Sequence, residues 1–348
     1  MKKYYPSIQV LRGVLFIFIL AFHCGIPCAS FGWGGVEAFF VISTFFLVRK
    51  YWGKESISVK EQFKHRMTRL YPPYIIVLIL AVFYALLKKN IPLDLLTHLL
   101  SSQNFHWMIT DYQSAMQPMT AHTWTLSIEI WGGLLWLLLL KYLSKEQFKK
   151  TMYAFLLIGI IYRVVTIVYG ANVWIVSLCP LSHFDAFSIG SLLAIGVEEK
   201  KVDWKIGILS VVGGVGIIAC IIWLSYSNGV GIIEAYQLLS SSKNYLNSWF
   251  TGNIYLFISL LTSGIVGLLY LRDEKRNDEI GKVEQVFVKL GDNSYVLYLF
   301  HWPILAVLKR LTHHWGSLLF GTLVVSIVAA IIFNWLNSKI NKKRLGGI

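Results

Sequence analysis

The chain has 348 residues, 56% of them hydrophobic and 14% charged, with a formal charge of +14. Soluble domains carry about 25% charged residues, so the composition excludes an ordinary soluble globular protein and indicates an integral membrane protein. The positive balance does not indicate nucleic acid, because the basic residues cluster in alternate loops between apolar spans and form no compact Lys/Arg block with interleaved aromatics.

In chain order the apolar spans fall at about residues 8–27, 33–49, 73–89, 124–140, 151–169, 173–197, 205–224, 249–271, 292–311 and 316–336. Most approach the ~20 residues needed to cross a bilayer. If the N-terminus is cytoplasmic, 25 of the 32 Lys and Arg residues fall in cytoplasmic segments, five in outer segments, and Arg12 and Arg163 within spans. The expected architecture is therefore an all-α, polytopic membrane helix bundle of about ten transmembrane helices, with both termini cytoplasmic. Residues 1–348 are expected to form one membrane domain. The first span, with Lys2, Lys3 and the following "PCAS", could pass for a signal peptide. The arginine inside it and the regular alternation of the later loops argue against cleavage. The four cysteines show no metal-ligand spacing, and Cys24 and Cys28, four apart, are read as two small apolar residues in preference to a disulfide. No metal is expected.

Ionisable residues within spans each need a reason, because burying one in the bilayer costs about 2.5–3.5 kcal/mol for Arg, Lys or Asp. "LRGVLFIFILAFH" carries Arg12 and His23 eleven residues apart, which places them on one helix face, about 16 Å apart along the axis. By the expected topology, His23, Glu37 and Glu129 share the outer leaflet. Arg12 lies near the inner end of the first span, and Arg66 and Arg69 precede the third span on the inner side. Arg66 and Arg69 are three apart and so share a helix face; two planar forks suit a phosphate, although as cytoplasmic-side residues they could equally be topology anchors. A histidine oriented by Glu129 or Glu37 suits proton abstraction. His183 and Asp185, two apart, point to different sides of a helix, which favours packing or helix–helix hydrogen bonds over a joint site.

Six segments then resemble a known family: "LRGVLFIFILAFH", "GGVEAFFVISTFFL", "RMTRLYPPY", "HTWTLSIEI", "HFDAFSIGSLLA" and "NSYVLYLFHWP" occur in the order seen in the membrane acyltransferase-3 family, over residues 7 to about 336. The resemblance implies transfer of an acyl group, usually acetyl, from cytoplasmic acyl-CoA to a sugar or other acceptor at or beyond the membrane. It implies His23 as the essential histidine, Arg12 as its partner in the first helix, and contact of Arg66 and Arg69 with the coenzyme A phosphates. Three departures stand out. Ser43-Thr44-Phe45 replaces "SGF", which puts a close backbone approach in doubt. "WTLSIEI" lacks the aromatic pair that often follows the glutamate. His183-Phe184-Asp185 replaces an "RFD"-like motif and loses an arginine.

The expectation is a membrane-bound O-acyltransferase of a bacterial plasma membrane. It would use acyl-CoA, most simply acetyl-CoA, to acylate a hydroxyl of an envelope polysaccharide, lipid-linked sugar or related acceptor. The catalytic candidates are His23, Glu129 and Glu37, and the donor-binding candidates Arg12, Arg66 and Arg69. Ser43, Trp124, His301 and Asp185 complete the candidate set. Membrane lipid, acyl-CoA and a saccharide or glycolipid are the expected partners, and nucleic acid is not. The alternative is a transporter exporting an anionic metabolite or glycolipid along the same polar stripe, which the lack of a visible internal repeat disfavours.

Overall fold

A computed structural model describes residues 4–54, 56–277 and 279–345, with side chains described to residue 339. Lys2 and Lys3, part of the basic count, lie outside the described residues. Among the described residues the regular structure is helical, with no strand. The principal helices are α1 (Pro6–His23), α2 (Gly34–Tyr51), α3 (Val59–Leu87), α4 (Trp124–Tyr142), α5 (Lys145–Val168), α6 (Phe184–Glu198), α7 (Gly207–Asn228), α8 (Ile254–Lys275), α9 (Lys282–Asp292), α10 (Ser294–Leu308) and α11 (Trp315–Leu345). Nine helices among the described residues are long and apolar enough to cross a membrane, and α10 is a shorter apolar helix. The chain is a polytopic helical membrane protein.

Local chemistry explains where the helices start and stop. Pro6 stands in the first turn of α1, where its missing N–H has no helical partner to lose. Ser144 and Gln147 form a reciprocal capping box at the start of α5. Gly229 closes α7 in the left-handed conformation, at φ 65°.

Two expected boundaries move. The third span begins at Val59 rather than near residue 73, so Pro72 and Pro73 lie inside α3, and Arg66 and Arg69 are helical residues. The prolines leave the carbonyls of Thr68 and Arg69 without helical donors; both residues are exposed, so water can satisfy them. The sixth expected span, 173–197, is broken: a short helix Val173–Leu178 precedes a tight turn, Pro180–His183, and then α6. Cys179 is extended, at ψ 129°, because the residue before a proline is driven out of the helical region.

Large apolar side chains on α3, α5, α7 and α11, such as Phe83, Ile161, Val215 and Phe320, are exposed on the outside of the bundle, as lipid-facing surfaces require. Inside, Phe40, Phe45, Trp136 and Phe187 join α2, α4 and α6. Small residues permit the tightest crossings. A Cβ on Gly291 of α9 would lie 1.9 Å from the Gln9 carbonyl oxygen, and one on Gly13 of α1 would lie 2.5 Å from the Phe287 oxygen. Thr44 does not prevent a close approach of α2, because the glycine is on the facing helix: a Cβ on Gly190 of α6 would lie 2.3 Å from both Thr44 Oγ1 and the Val41 oxygen.

The segments 88–123 and 229–248 cap the end of the bundle opposite the N-terminus. Within the first, buried Gln103 donates to the Thr123 carbonyl at 2.8 Å and Asn104 to the Leu178 carbonyl at 2.9 Å. The second is tied down by Trp33, which donates to the Leu239 carbonyl at 2.8 Å, and by Tyr236, which donates to the Cys28 carbonyl at 2.7 Å.

Candidate functional site

A cavity of about 580 Å³ penetrates the bundle from the end that carries the N-terminus. Lys50, Gln62, His65, Arg69 and Asn337 stand among the residues at its mouth, and Arg12, Ser43, Arg66 and Glu129 line its middle. Val36, Thr125 and Tyr298 line its deep end. Lys50 and Val36 both belong to α2, fourteen residues apart, so the cavity runs about 21 Å along that helix.

Five candidate residues therefore meet in one cavity: Arg12, Ser43, Arg66, Arg69 and Glu129 all line it. The arginines are not equivalent. Arg66 Nη2 donates to Glu129 Oε1 at 2.9 Å and to the Glu129 backbone oxygen at 3.0 Å, and Ser43 donates to the same carboxylate oxygen at 3.1 Å. Gly133 makes room for this guanidinium, since a Cβ there would lie 2.8 Å from Arg66 Cζ. Arg12 donates to Gln9 Oε1 at 3.0 Å and to Ser294 Oγ at 2.9 Å. Arg69 is exposed at the mouth, with no hydrogen bond or ion pair to a described residue. The expected pair of equal phosphate forks is thus one free arginine and one committed to a carboxylate.

The expected orientation of His23 by a carboxylate is not formed. Glu129 is held by Arg66 and Ser43, and Glu37 by His183 Nδ1. The reason is helix phase: Glu129 turns toward α3 and Glu37 toward the Pro180–His183 turn, whereas His23 at the end of α1 faces α10. The His23 ring stacks on His301 with centroids 5.3 Å apart and meets the edge of Trp302 at 4.6 Å. His122, which sequence reasoning did not single out, lies 5.3 Å from the His301 centroid.

Backbone carbonyls fix the two buried neighbours of His23. His122 Nε2 faces the Leu299 oxygen at 3.0 Å, and His301 Nδ1 faces the Tyr298 oxygen. Each of these nitrogens must carry the proton, which leaves His122 Nδ1 and His301 Nε2 as lone-pair acceptors when the rings are neutral. Neither has a hydrogen-bond partner among the described residues. The cluster touches the large cavity through Tyr298, whose ring lies 5.3 Å from that of His301.

Two further buried pairs sit at the same depth. Glu37 meets His183, whose Nε2 faces the Ser177 carbonyl at 3.0 Å. Arg163 of α5 pairs with Asp185 at 2.6 Å and donates to Asn253 Oδ1. His183 and Asp185 thus take different partners on different helices, and Arg163 supplies a guanidinium beside the motif that lacks its own. Trp124 and Glu37 line a second, smaller pocket, while His23, His301 and Asp185 line neither cavity. Among the described residues, no three His, Cys, Asp or Glu side chains are arranged to hold a metal ion.

A family model described as an acyltransferase domain matches residues 5–336. The O-acetyltransferase OatA of Staphylococcus aureus strain NCTC 8325 is 23% identical over 98% of the chain and 58% of its own length. The peptidoglycan O-acetyltransferase OatA of Listeria monocytogenes strain EGD-e is 28% identical over 39% of the chain and 24% of its own length. The chain spans about half the length of the curated relatives it matches. No solved structure matches it. Nine apolar helices among the described residues and these bacterial relatives make it an integral plasma-membrane protein.

Proposed function

The chain belongs to the acyltransferase-3 family, and on that premise we propose that it transfers an acetyl group from acetyl-CoA to a hydroxyl of a cell-envelope polysaccharide. The observation that carries this reading is the cavity itself. It joins a basic mouth to the neighbourhood of three clustered histidines through a membrane bundle. A donor that is anionic at one end and reactive at the other, with a slender arm between, matches that profile.

In this reading both termini are cytoplasmic. Arg69, with Lys50 and His65 beside it at the mouth, meets the donor phosphates, and Arg12 and Arg66 keep the middle of the path positive. Arg66 also holds α3 to α4 through Glu129. The thioester lies toward Val36, Thr125 and Tyr298. His23 takes the proton of the acceptor hydroxyl as its oxygen attacks the thioester carbonyl. The carbon–sulfur bond then breaks, and the imidazolium returns the proton to the departing thiolate. His301, by stacking, and Trp302, by an edge contact, hold the His23 ring in the place where a carboxylate would otherwise orient it.

The test is acetyl transfer from labelled acetyl-CoA to a peptidoglycan-type saccharide by the chain in nanodiscs. His23→Gln should lower the rate by about 10²–10⁴, the usual contribution of a general base, with coenzyme A affinity nearly unchanged. A His23→Gln chain with near-normal transfer removes the histidine from the chemistry.

A further inference from the structure

The second pocket, about 150 Å³ in volume, lies at the end of the bundle opposite the N-terminus, where the two capping segments meet the ends of the helices. It shares Val36 with the large cavity, and Trp124 in its wall is followed by Thr125 in the wall of the other. Phe22, which also lines it, packs its ring 4.9 Å from that of His23. The pocket is therefore adjacent to both the deep end of the donor path and the proposed base.

Its walls combine flat aromatic faces with hydroxyls and one buried acid. Trp33 and Tyr245 are stacked with centroids 4.6 Å apart and 6° between planes, and Tyr112 and Trp174 are stacked at 4.5 Å and 17°. Asp111 and Tyr112 both occupy the left-handed region, at φ 52° and 62°. Non-glycine residues adopt that conformation at a cost, here in presenting Tyr112 to Trp174. Ser240 and Ser242 line the pocket, and no hydrogen bond engages either hydroxyl with another described residue. Glu37 is 1% exposed and also lines the pocket; its Oε1 is taken by His183, but its Oε2 has no hydrogen-bond partner. A buried carboxylate oxygen without a donor is unfavourable unless a ligand supplies one.

We propose that this pocket is a saccharide subsite that takes one pyranose ring of the acceptor, with Trp174, backed by its stacked partner Tyr112, against its C–H face and Glu37 Oε2 accepting from a ring hydroxyl. The inference rests on the acyl-transfer reading for its purpose, but its chemistry is independent. A pyranose is apolar on its faces and polar around its edge, which is the pattern of this wall. An alkyl chain would leave the carboxylate unpaired. The volume is well below the ~300–1,000 Å³ of drug-sized sites, which suits a single ring with the rest of the polymer outside. Glu37 thus leaves the catalytic set and becomes an acceptor-binding residue.

The experiment uses the whole chain in nanodiscs and the β-1,4-linked disaccharide of N-acetylglucosamine as probe. Saturating aromatic protein protons in the wild type should transfer magnetisation to the sugar C–H protons. In the transfer assay, Trp174→Ala should raise the disaccharide KM at least tenfold with coenzyme A affinity within twofold, and Trp174→Phe should restore most of the loss. Wild-type protein that turns over acetyl-CoA but shows no transfer to the sugar protons overturns the subsite, as does decanoate displacing a signal that excess disaccharide does not. An unchanged KM in both Trp174→Ala and Glu37→Gln overturns it too. Aromatic contact with the sugar in a chain that never turns over acetyl-CoA would support the subsite and remove the acyl-transfer reading instead.

Discussion

Breaking the Arg66–Glu129 pair should destabilise the bundle, whereas removing Arg69 should only weaken donor binding. Arg66 and Glu129 sit 2.9 Å apart with side chains 11% and 24% exposed, and the same guanidinium nitrogen also reaches the Glu129 backbone oxygen. Hydrogen bonds to charged groups contribute about 1.5–3 kcal/mol; water in the cavity screens part of this. A coupling of about 1–2 kcal/mol is the expected result of a double-mutant cycle of Arg66→Ala and Glu129→Gln, read by unfolding in mixed micelles. Arg69→Ala, which breaks no hydrogen bond or ion pair with a described residue, should leave unfolding unchanged and lower coenzyme A affinity at least tenfold. Additivity of the first two substitutions to within about 0.5 kcal/mol, or unchanged coenzyme A affinity in Arg69→Ala, would refute the division of labour between the two arginines.

Gly133→Ala should lower transfer activity by driving the Arg66 guanidinium, 2.8 Å from the new Cβ position, away from Glu129; a wild-type rate in the folded variant would contradict this. His98, in the capping segment outside the membrane spans, is fully buried between Asp94 and Thr120, with His106 as a further charge neighbour, and burial holds its pKa below the usual imidazole value of 6.5. A depressed imidazole pKa means that the unfolded chain binds the proton first. Stability should therefore be flat above about pH 7 and fall as pH drops through 6.5, measured as Tm in nanodiscs; His98→Gln should flatten that slope, and an identical slope would discount His98.

Much of the fold was legible in the sequence because a bilayer imposes one dominant signal. A long apolar run must be a helix, and α1, α2, α4, α5 and α7 lie close to where hydropathy places them. It was less informative where the chain breaks a run locally. Pro180 interrupts 173–197, and the proline pair of α3 sits within a helix that begins fourteen residues before Pro73. For the site, neither depth nor partnership was fully legible: Glu129, placed by the expected topology in the outer leaflet, pairs at 2.9 Å with Arg66, placed on the inner side, because α3 begins well before the apolar run and carries Arg66 into the bundle. Arg12, Ser43, Arg66, Arg69 and Glu129 share one cavity, but which face Glu129 or Glu37 presents depends on helix rotation and crossing, set by glycines such as Gly133 and Gly190 on neighbouring helices. His122 escaped notice because it lies in a loop-like stretch outside the spans. The available signal was its position two residues before Trp124, in a segment already marked by the family resemblance.

Passage of acetyl through the bundle, from the basic mouth to an acceptor at the opposite end, can be read in proteoliposomes of known orientation, with labelled acetyl-CoA only on the side of the N-terminus and the saccharide only on the other. The expected result is labelled O-acetyl saccharide in the compartment that never contained coenzyme A, abolished by His23→Gln. Acetylation only when donor and saccharide share a compartment would contradict the account.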